Sequence, residues 1–586
     1  MRTFLLPMAV VAGVVALTLW AMQVPQPRPE PSLAASQIDD LQATVDEVNA
    51  ALRRLWSEEP AASGEIPADD LPWIAPAARA DDLTILRRLS LALHGTIPSL
   101  EEIRRFQADT RPGRLVHWTA AMLNDNRFHE YCAERLARAY VGVEDGEFLL
   151  FRRDRFKAWL TKQLQRRRPY NEIVASMIAA RGVWTGAGEV NFLTGAVAND
   201  VFDANKLAAR TSRAFLGQRL DCAQCHDHPF DHWKQSEFEG LAAHFGQLDV
   251  SLAGVVDNQQ NEFTVLAADG ETKRTVSPAV PYSPEWIEAG QSPREQLAMW
   301  VTHPDNRRFE RAIANRVWGM LFGRPFAHRV RVFTRNWETD DSEWAWTDKA
   351  IDDLPDPDDP RFGRQLELLD ILGRDFRQHD CDLRRLITVI AASDAFQLES
   401  VHPFTADVDL AALSEADRDE AQLQVDQLQA RWAVFPLIRL RPEQVIGSML
   451  QASHVETIDQ NSHLFVRAAR FFNERDFINE FGDPGVDELE NRTGTIQQAL
   501  LRMNGELARN LSAEQLLAAP GQIRRYSTSP ENRLDNIFLS ALTRQPNEME
   551  QTCFLPQLQP GPDRPAGAIQ DLYWAIFNSP EFSWNH

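Results

Sequence analysis

Residues 215–233 read FLGQRLDCAQCHDHPFDHW and link two segments whose apolar residues recur with helical spacing. One segment, residues 203–218, overlaps the start of this stretch, and the other, residues 236–245, follows it. Ser236 and Glu239 predict a capping box at the start of the second helix. The stretch is therefore expected to connect two helices and to display its polar residues between them.

The same helical spacing continues on both sides of this stretch and predicts a mainly α fold. We expect two packed helical domains, at residues 81–250 and 291–586, since 586 residues are too many for one ordinary core. The connector at residues 251–290 alternates apolar and polar residues around Asp269-Gly270, which is typical of a small β-hairpin insertion. Near the start of the first domain, Ser99 and Glu102 predict another capping box.

The N-terminus predicts export. Residues 4–22 are apolar apart from Thr18 and Pro7, and they are long enough to span a bilayer. Residues 1–22 are thus a signal anchor or a signal peptide. We expect a single-pass inner-membrane protein whose soluble part lies in the periplasm or, after cleavage, a periplasmic or secreted protein.

A linker at residues 23–80 contains one helical segment, residues 37–56. Its apolar residues alternate in steps of three and four, as in a heptad pattern: Ile38, Leu41, Val45, Val48, Leu52 and Leu55. This short heptad helix either forms a coiled coil with another copy of the chain, which would give a homo-oligomer, or packs on its own body. The pattern supports both alternatives equally.

Composition excludes one class of partner. The net charge is −23, with 84 acidic and 61 basic residues. Binding to nucleic acid needs clustered Lys and Arg, so we expect no nucleic-acid partner. An acidic protein of this kind is suited to docking a basic redox partner protein.

The CxxCH pattern at Cys222, Cys225 and His226 is that of a c-type haem attachment site. The two thiols bond the porphyrin vinyl groups, and the histidine binds the iron. This interpretation predicts electron transfer or another redox step outside the cytoplasm. His244, in the next helix, and His232 are candidates for the second axial ligand.

Two alternatives remain open. Cys222 and Cys225 with two of the nearby histidines form a Cys₂His₂ set for zinc or iron, with these metal-ligand candidates: His226, His228, His232, His244 and Asp227. Such a metal could activate water in a hydrolase. In the other alternative the cysteines form a disulfide, and the protein is a non-catalytic scaffold held by that bond or by a structural metal.

These residues, together with motifs spread over the chain after Asp81, resemble the planctomycete cytochrome-like paired domains of unknown function, families fifteen-forty-nine and fifteen-fifty-three. In the first domain the resemblance rests on residues 87–98, 169–171, 215–230 and 241–245. In the second it rests on residues 294–298, 315–318, 321–324, 386–393, 498–504 and 578–586. An acidic insert near residues 336–360 departs from the family pattern. The resemblance implies a cytochrome-like domain followed by a second domain, and it implies no particular activity.

Overall fold

The computed structural model describes residues 35–57 and 75–585 except for the following positions: 144–150, 184, 199–200, 229–231, 252–253, 267–270, 328–329, 332–343, 346–353, 358–362, 404–413, 415–417, 419–420, 422–423, 426–427, 483–494, 517 and 560–566. This part of the chain is mainly helical with a few small sheets, which confirms the prediction of a mainly α fold. The N-terminal membrane helix predicted at residues 1–22 lies outside it. No helix among the described residues is long and apolar enough to cross a membrane.

The chain up to residue 250 consists of short helices: α1 Ala35–Ser57, α2 Asp82–His94, α3 Leu100–Ala108, α4 Arg114–Leu123, α5 Asn126–Val141, α6 Arg153–Gln165, α7 Tyr170–Ile178, α8 Asn191–Thr194, α9 Ala204–Thr211 and α10 Gln235–Ala243. Side chains fix where several of them begin. Asp81 accepts hydrogen bonds from the backbone N–H groups of Leu83 and Thr84, and so caps α2. The capping box predicted at Ser99 and Glu102 is confirmed at the start of α3.

Short antiparallel hairpins interrupt the helices. Their strands are β1 Val197–Ala198 with β2 Val201–Phe202, β3 Leu248–Ser251 with β4 Gly254–Asp257, and β5 Thr264–Leu266 with β6 Lys273–Thr275. The β5–β6 pair is the predicted hairpin insertion, in which Val265 lies opposite Arg274. Its predicted turn at Asp269-Gly270 lies outside the described residues.

The rest of the chain is again helical: α11 Pro293–Val301, α12 Arg307–Phe322, α13 Gly363–Gln378, α14 Leu383–Ala392, α15 Asp394–Gln397, α16 Pro442–Ala452, α17 Leu464–Phe481, α18 Ile496–Asn504, α19 Glu506–Ser512, α20 Ala519–Tyr526, α21 Pro530–Leu542, α22 Glu548–Leu558 and α23 Ala568–Asn578. Two small antiparallel pairs accompany them: β7 Val330–Arg331 with β8 Trp344–Ala345, and β9 Ile438–Arg439 with β10 Trp584–Asn585.

The heptad helix α1 packs on the body of its own chain. Val45, Val48 and Leu52 are buried in the main hydrophobic core, and α1 lies against α13 and α14. Polar contacts reinforce this position, since the Thr44 hydroxyl donates to Asp375 over 2.8 Å. The apolar stripe of α1 is thus covered within the chain, and association through this helix would require the stripe to leave these partners.

Apolar packing forms two clusters within the described residues. The larger consists of residues between Leu41 and Phe435 together with Leu539, and the smaller of residues between Leu440 and Phe582 together with Leu91 and Ile97. Helix α2 lies between them, because Leu89 belongs to the larger cluster and Leu91 to the smaller. The division into domains at residues 250–290 stays a prediction, and the packing adds a second division near residue 436.

Candidate functional site: the cysteine loop

The cysteine loop, residues 221–234, is attached at its start to a distant part of the chain. Before it, α9 ends in a π-helical turn that Gly217 closes with a φ of +60°. The Gly217 carbonyl accepts a hydrogen bond of 2.6 Å from the N–H of Leu354. The Gln218 side chain donates one of 2.6 Å to the Leu354 carbonyl. The loop therefore begins from a fixed point.

Both cysteines of the loop point outward. Residues 221–224 form a single 3₁₀ turn in which Ala223 is fully buried, whereas Cys222 and Cys225 are exposed. The buried alanine turns this side of the loop toward the core. Neither thiol is part of a disulfide. Both sulfur atoms are thus accessible to a reactant from outside.

His226 is exposed as well, and one hydrogen bond sets its orientation. Its Nδ1 lies 2.7 Å from the carbonyl oxygen of Asp227. A carbonyl only accepts, so Nδ1 carries the proton and, in the neutral ring, Nε2 keeps its lone pair. Nε2 makes no hydrogen bond with a described residue. This is the arrangement in which a histidine ligates a metal through Nε2 while its other nitrogen is held by a backbone carbonyl.

Asp227 joins the cysteine loop to the start of α10. Its Oδ1 accepts a hydrogen bond of 2.9 Å from the backbone N–H of Gln235, the first residue of α10. The Gln235 side chain in turn donates to the carbonyl of Gln224 over 3.3 Å. A second closure joins the N–H of His228 to the carbonyl of Trp233 over 2.8 Å.

The capping box predicted at Ser236 and Glu239 is wrong. Helix α10 begins at Gln235, one residue before Ser236, and the Glu237 carboxylate accepts a hydrogen bond of 2.8 Å from the N–H of Lys234. Glu239 is buried and forms an ion pair with Arg274 of β6. The ion pair with the hairpin explains why a glutamate occurs at this position, and only the tertiary structure shows it.

Trp233 anchors the end of the loop. It is buried, and the guanidinium of Arg308, in α12, lies 5.2 Å from the centre of its ring. Arg308 also pairs with Asp356 over 2.5 Å. Sequence reasoning missed this anchor, because Arg308 is distant in the chain and its helix carries many arginines. His232, next to Trp233, is exposed, and the two ring centres are 4.4 Å apart.

His244 lies in a different environment. It follows the last residue of α10, is 1% exposed, and its Nδ1 lies 3.1 Å from the carbonyl of Gly240. Burial lowers the pKa of His244 to about 4, so the ring is neutral near pH 7. Its side chain belongs to the core, whereas the thiols and His226 face outward.

The predicted site residues divide into two groups. Cys222, Cys225 and His226 share one exposed turn and fit covalent attachment of a c-type haem, with two accessible thiols and one imidazole nitrogen left for iron. Asp227, His228, His232 and His244 serve the loop or the core as described above. Among the residues that the structure describes, no three His, Cys, Asp or Glu side chains are grouped so that they could hold a metal ion.

Two family models match the chain. Residues 72–250 match the model described as PSCyt2, protein of unknown function (DUF1549). Residues 293–339 and 362–557 match the model described as PSD1, protein of unknown function (DUF1553). The second match is interrupted in the acidic insert. The chain has no match among curated proteins or solved structures.

Proposed function

Since the chain belongs to the family that pairs the PSCyt2 and PSD1 domains of unknown function, we propose that it is an exported, c-type-cytochrome-like protein. Its electron-transfer centre would be the exposed turn with Cys222, Cys225 and His226. The family name PSCyt2 agrees with a cytochrome-like first domain, although the family is described as one of unknown function.

The observation that carries the proposal is the geometry of His226 beside two accessible thiols. In a c-type haem site, the histidine after the CxxC pair binds the iron through one ring nitrogen, and a hydrogen bond to the other nitrogen orients the ring. The carbonyl of Asp227 binds Nδ1 and leaves Nε2 for that purpose. The exposure of Cys222 and Cys225 leaves both sulfur atoms accessible for attachment.

The residues would divide the work as follows. The sulfur atoms of Cys222 and Cys225 would hold the porphyrin through thioether bonds, and His226 Nε2 would ligate the iron. When bound, haem supplies one-electron redox chemistry. Trp233, fixed under Arg308, would keep the turn in place. Because the turn is polar and exposed, the centre would lie close to the surface and within reach of a partner protein.

Location and partners belong to the same proposal. The apolar residues 4–22 would place the protein in the inner membrane, or release it after cleavage, with its soluble part in the periplasm. Covalent haem attachment takes place on that side of the membrane in bacteria. The net charge of −23 favours a basic redox partner.

The alternative of a metal-dependent hydrolase has less support. It needs several of the residues His226, His228, His232, His244 and Asp227 around one ion. Asp227 caps a helix and His244 belongs to the core. A disulfide between Cys222 and Cys225 is the simplest competing outcome, because both thiols lie in one exposed turn.

The test is an absorption spectrum with a pyridine haemochrome assay and an intact mass. The protein would be the full chain, made in cells that carry the cytochrome c maturation machinery. We expect a Soret band and a mass increase of one haem. Both are lost in the variant Cys222→Ala/Cys225→Ala. In His226→Ala any remaining haem shows an altered spectrum, because the iron loses its imidazole ligand.

Matched controls come from the same chain. Cys553 is exposed but lies in α22, so Cys553→Ala should keep the spectrum and the mass increase. His232→Ala removes a candidate second axial ligand in the same loop and should keep the mass increase, because the thioether bonds do not depend on this residue. A colourless protein of unmodified mass would sink the proposal. Elemental analysis would then identify zinc or iron, and a mass two hydrogens lower would identify the disulfide.

A further inference from the structure

A group of basic side chains lies between α6 and α7, apart from the cysteine loop. Residues 162–168 read KQLQRRR, and we call this segment the arginine turn. The side chains of Lys162, Arg166 and Arg167 are exposed and form no ion pair with a carboxylate among the described residues. In a chain whose net charge is −23, the turn is therefore a local concentration of positive charge.

A further arginine meets the turn at Asn124, the residue that follows α4. Arg167 Nη2 and Arg384 Nη1 each donate a hydrogen bond of 2.6 Å to Asn124 Oδ1. A neutral amide oxygen thus holds two cations side by side and does not neutralise them. Burial and the charge of Arg167 lower the pKa of Arg384 to about 10, so both guanidinium groups stay charged near pH 7. An anion bound here would reduce the repulsion between them.

Nearby carboxylates balance only part of this positive charge. Arg168 pairs with Glu172 over 3.1 Å. Asp382 caps α14 and partly offsets the charge of Arg384. The three exposed basic side chains of the turn remain, and their charged groups are open to an anion that approaches from outside.

The position of α14 shows which end of the body this is. Helices α1 and α14 run in the same direction. Near the start of each, Arg385 of α14 pairs with Asp40 of α1 over 2.5 Å. Further along, the N–H of Asp394, which follows α14, donates to the side chain of Asn49 in α1 over 2.8 Å. The two helices therefore begin at the same end of the body.

The arginine turn lies at that end as well. Arg384, in the first turn of α14, donates from Nη2 to the carbonyl of Leu164 over 3.3 Å. Residues 23–34 join α1 to the apolar segment at residues 1–22, and they reach at most about 40 Å even when fully extended. An anchor at residues 1–22 would accordingly hold this end of the body, and the arginine turn with it, near the membrane.

We propose that the arginine turn binds the phosphate groups of anionic lipids in the membrane that carries the anchor. The proposal rests on the membrane location given under the proposed function and does not depend on haem. An anionic lipid surface attracts Lys and Arg side chains, and the attraction falls off within about 10 Å at moderate salt. Only basic residues turned toward the membrane therefore contribute, and guanidinium groups bind phosphate oxygens through paired N–H donors. Such contact would restrict the orientation of the body on the membrane.

The test is hydrogen exchange of the full chain in lipid nanodiscs. One set of discs contains phosphatidylcholine alone, and the other contains phosphatidylcholine and phosphatidylglycerol in equal parts. The amide hydrogens of Arg166, Arg167 and Arg168 are bonded to carbonyl groups within the turn. We expect them to exchange at least about threefold more slowly in the discs with anionic lipid, since bound head groups hold the turn closed. High salt should abolish this difference.

The variant Lys162→Gln/Arg166→Gln/Arg167→Gly removes three positive charges and should also abolish the difference between the two lipids. Arg167 has a φ of +53°, a left-handed conformation that glycine adopts readily, so the turn should keep its shape. The melting temperature of the variant checks its folding.

The matched control is Arg155→Gln/Arg509→Gln/Arg525→Gln. It removes the same charge from exposed positions outside the arginine turn and should keep the difference between the lipids. A difference that persists in the variant of the turn, or disappears in the control, would overturn the proposal.

The remaining outcomes separate this proposal from the proposed function. A chain that cannot be incorporated in the discs would overturn the membrane location and the lipid contact together. A chain that enters the discs and exchanges equally fast in both lipids would overturn the lipid contact alone. Equal protection by inorganic phosphate in discs of phosphatidylcholine would identify a free anion as the ligand and would also overturn it. The haem spectrum decides the electron-transfer proposal independently of these results.

Discussion

The cysteine loop and a buried ion cluster contrast in how their residues are brought together. In the ion cluster, Arg127 donates hydrogen bonds to Glu102 over 2.5 Å and to Asp125 over 2.9 Å. In the loop, three residues within five positions of the sequence occupy one exposed turn, and nothing buries their functional atoms. In the ion cluster, Glu102 of α3 and Arg127 of α5 come from different helices, and both side chains are buried. A site whose residues are neighbours in the sequence needs little of the fold, whereas the ion cluster exists only through tertiary packing. Substitutions should therefore affect stability very differently in the two regions.

The largest effect is expected at the ion cluster. Arg127→Met removes the charge that Glu102 and Asp125 share, so the buried carboxylate of Glu102 and the half-buried one of Asp125 lose this cation. Breaking a buried pair in this way costs about 3–5 kcal/mol. Urea unfolding followed by circular dichroism would measure the loss of unfolding free energy. A loss no larger than that of a surface substitution would show that solvent reaches these carboxylates, and the contrast between the regions would fail.

Sequence patterns found the elements whose signals are local. The capping box at Ser99 and Glu102, the β5–β6 hairpin and the heptad helix α1 all have a periodicity or cap that is complete within about 20 residues. Helix α17 was missed because its apolar residues do not recur on one face, and α22 because Pro556 interrupts its pattern. Such helices are stabilised by their packing, which a single segment does not encode.

The cysteine loop and the ion cluster differ in the same way. CxxCH identified Cys222, Cys225 and His226 at once, but the role of Asp227 as a cap and the anchor of Trp233 by Arg308 needed the folded chain. Glu102 was recognised as a helix cap only. That its other oxygen binds Arg127 could not be predicted, since the two residues lie on different helices and the spacing between them carries no signal.

The pH dependence of stability isolates the contribution of Glu102. Burial raises its pKa, but the charge and hydrogen bond of Arg127 outweigh burial and lower the pKa from the ordinary value of 4.5 to about 2. The contribution of Glu102 is therefore complete above the unfolded pKa and is lost as the pH falls toward 2. Between about pH 5 and about pH 3 the unmodified chain should lose about 2 kcal/mol more than Glu102→Gln does. Urea unfolding at a series of pH values measures this difference.

Glu101→Gln is the matched control for that experiment, because Glu101 is the exposed neighbour in the same helix. Its pH profile should follow that of the unmodified chain. If Glu102→Gln also followed the unmodified profile, the ion cluster would contribute nothing that depends on its charge.

A smaller effect is expected where the loop meets the core. Arg308→Gln removes the cation above the ring of Trp233 and the ion pair with Asp356. Because Asp356 is partly exposed, we expect a loss of only about 1 kcal/mol. Hydrogen exchange should quicken at the N–H of His228, whose acceptor is the carbonyl of Trp233. Unchanged exchange there would mean that other contacts hold the end of the loop.

The smallest effect on stability is expected at the cysteines themselves. Cys222 and Cys225 are exposed and make no disulfide, so Cys222→Ala/Cys225→Ala should change the unfolding free energy of the haem-free chain by less than about 0.5 kcal/mol. The same variant should abolish haem attachment, so the residues with the sharpest chemical role contribute least to the fold. A loss of several kcal/mol in the haem-free chain would instead mean that the thiols hold the turn together, as a disulfide or a structural metal would, and the centre would then be part of the fold.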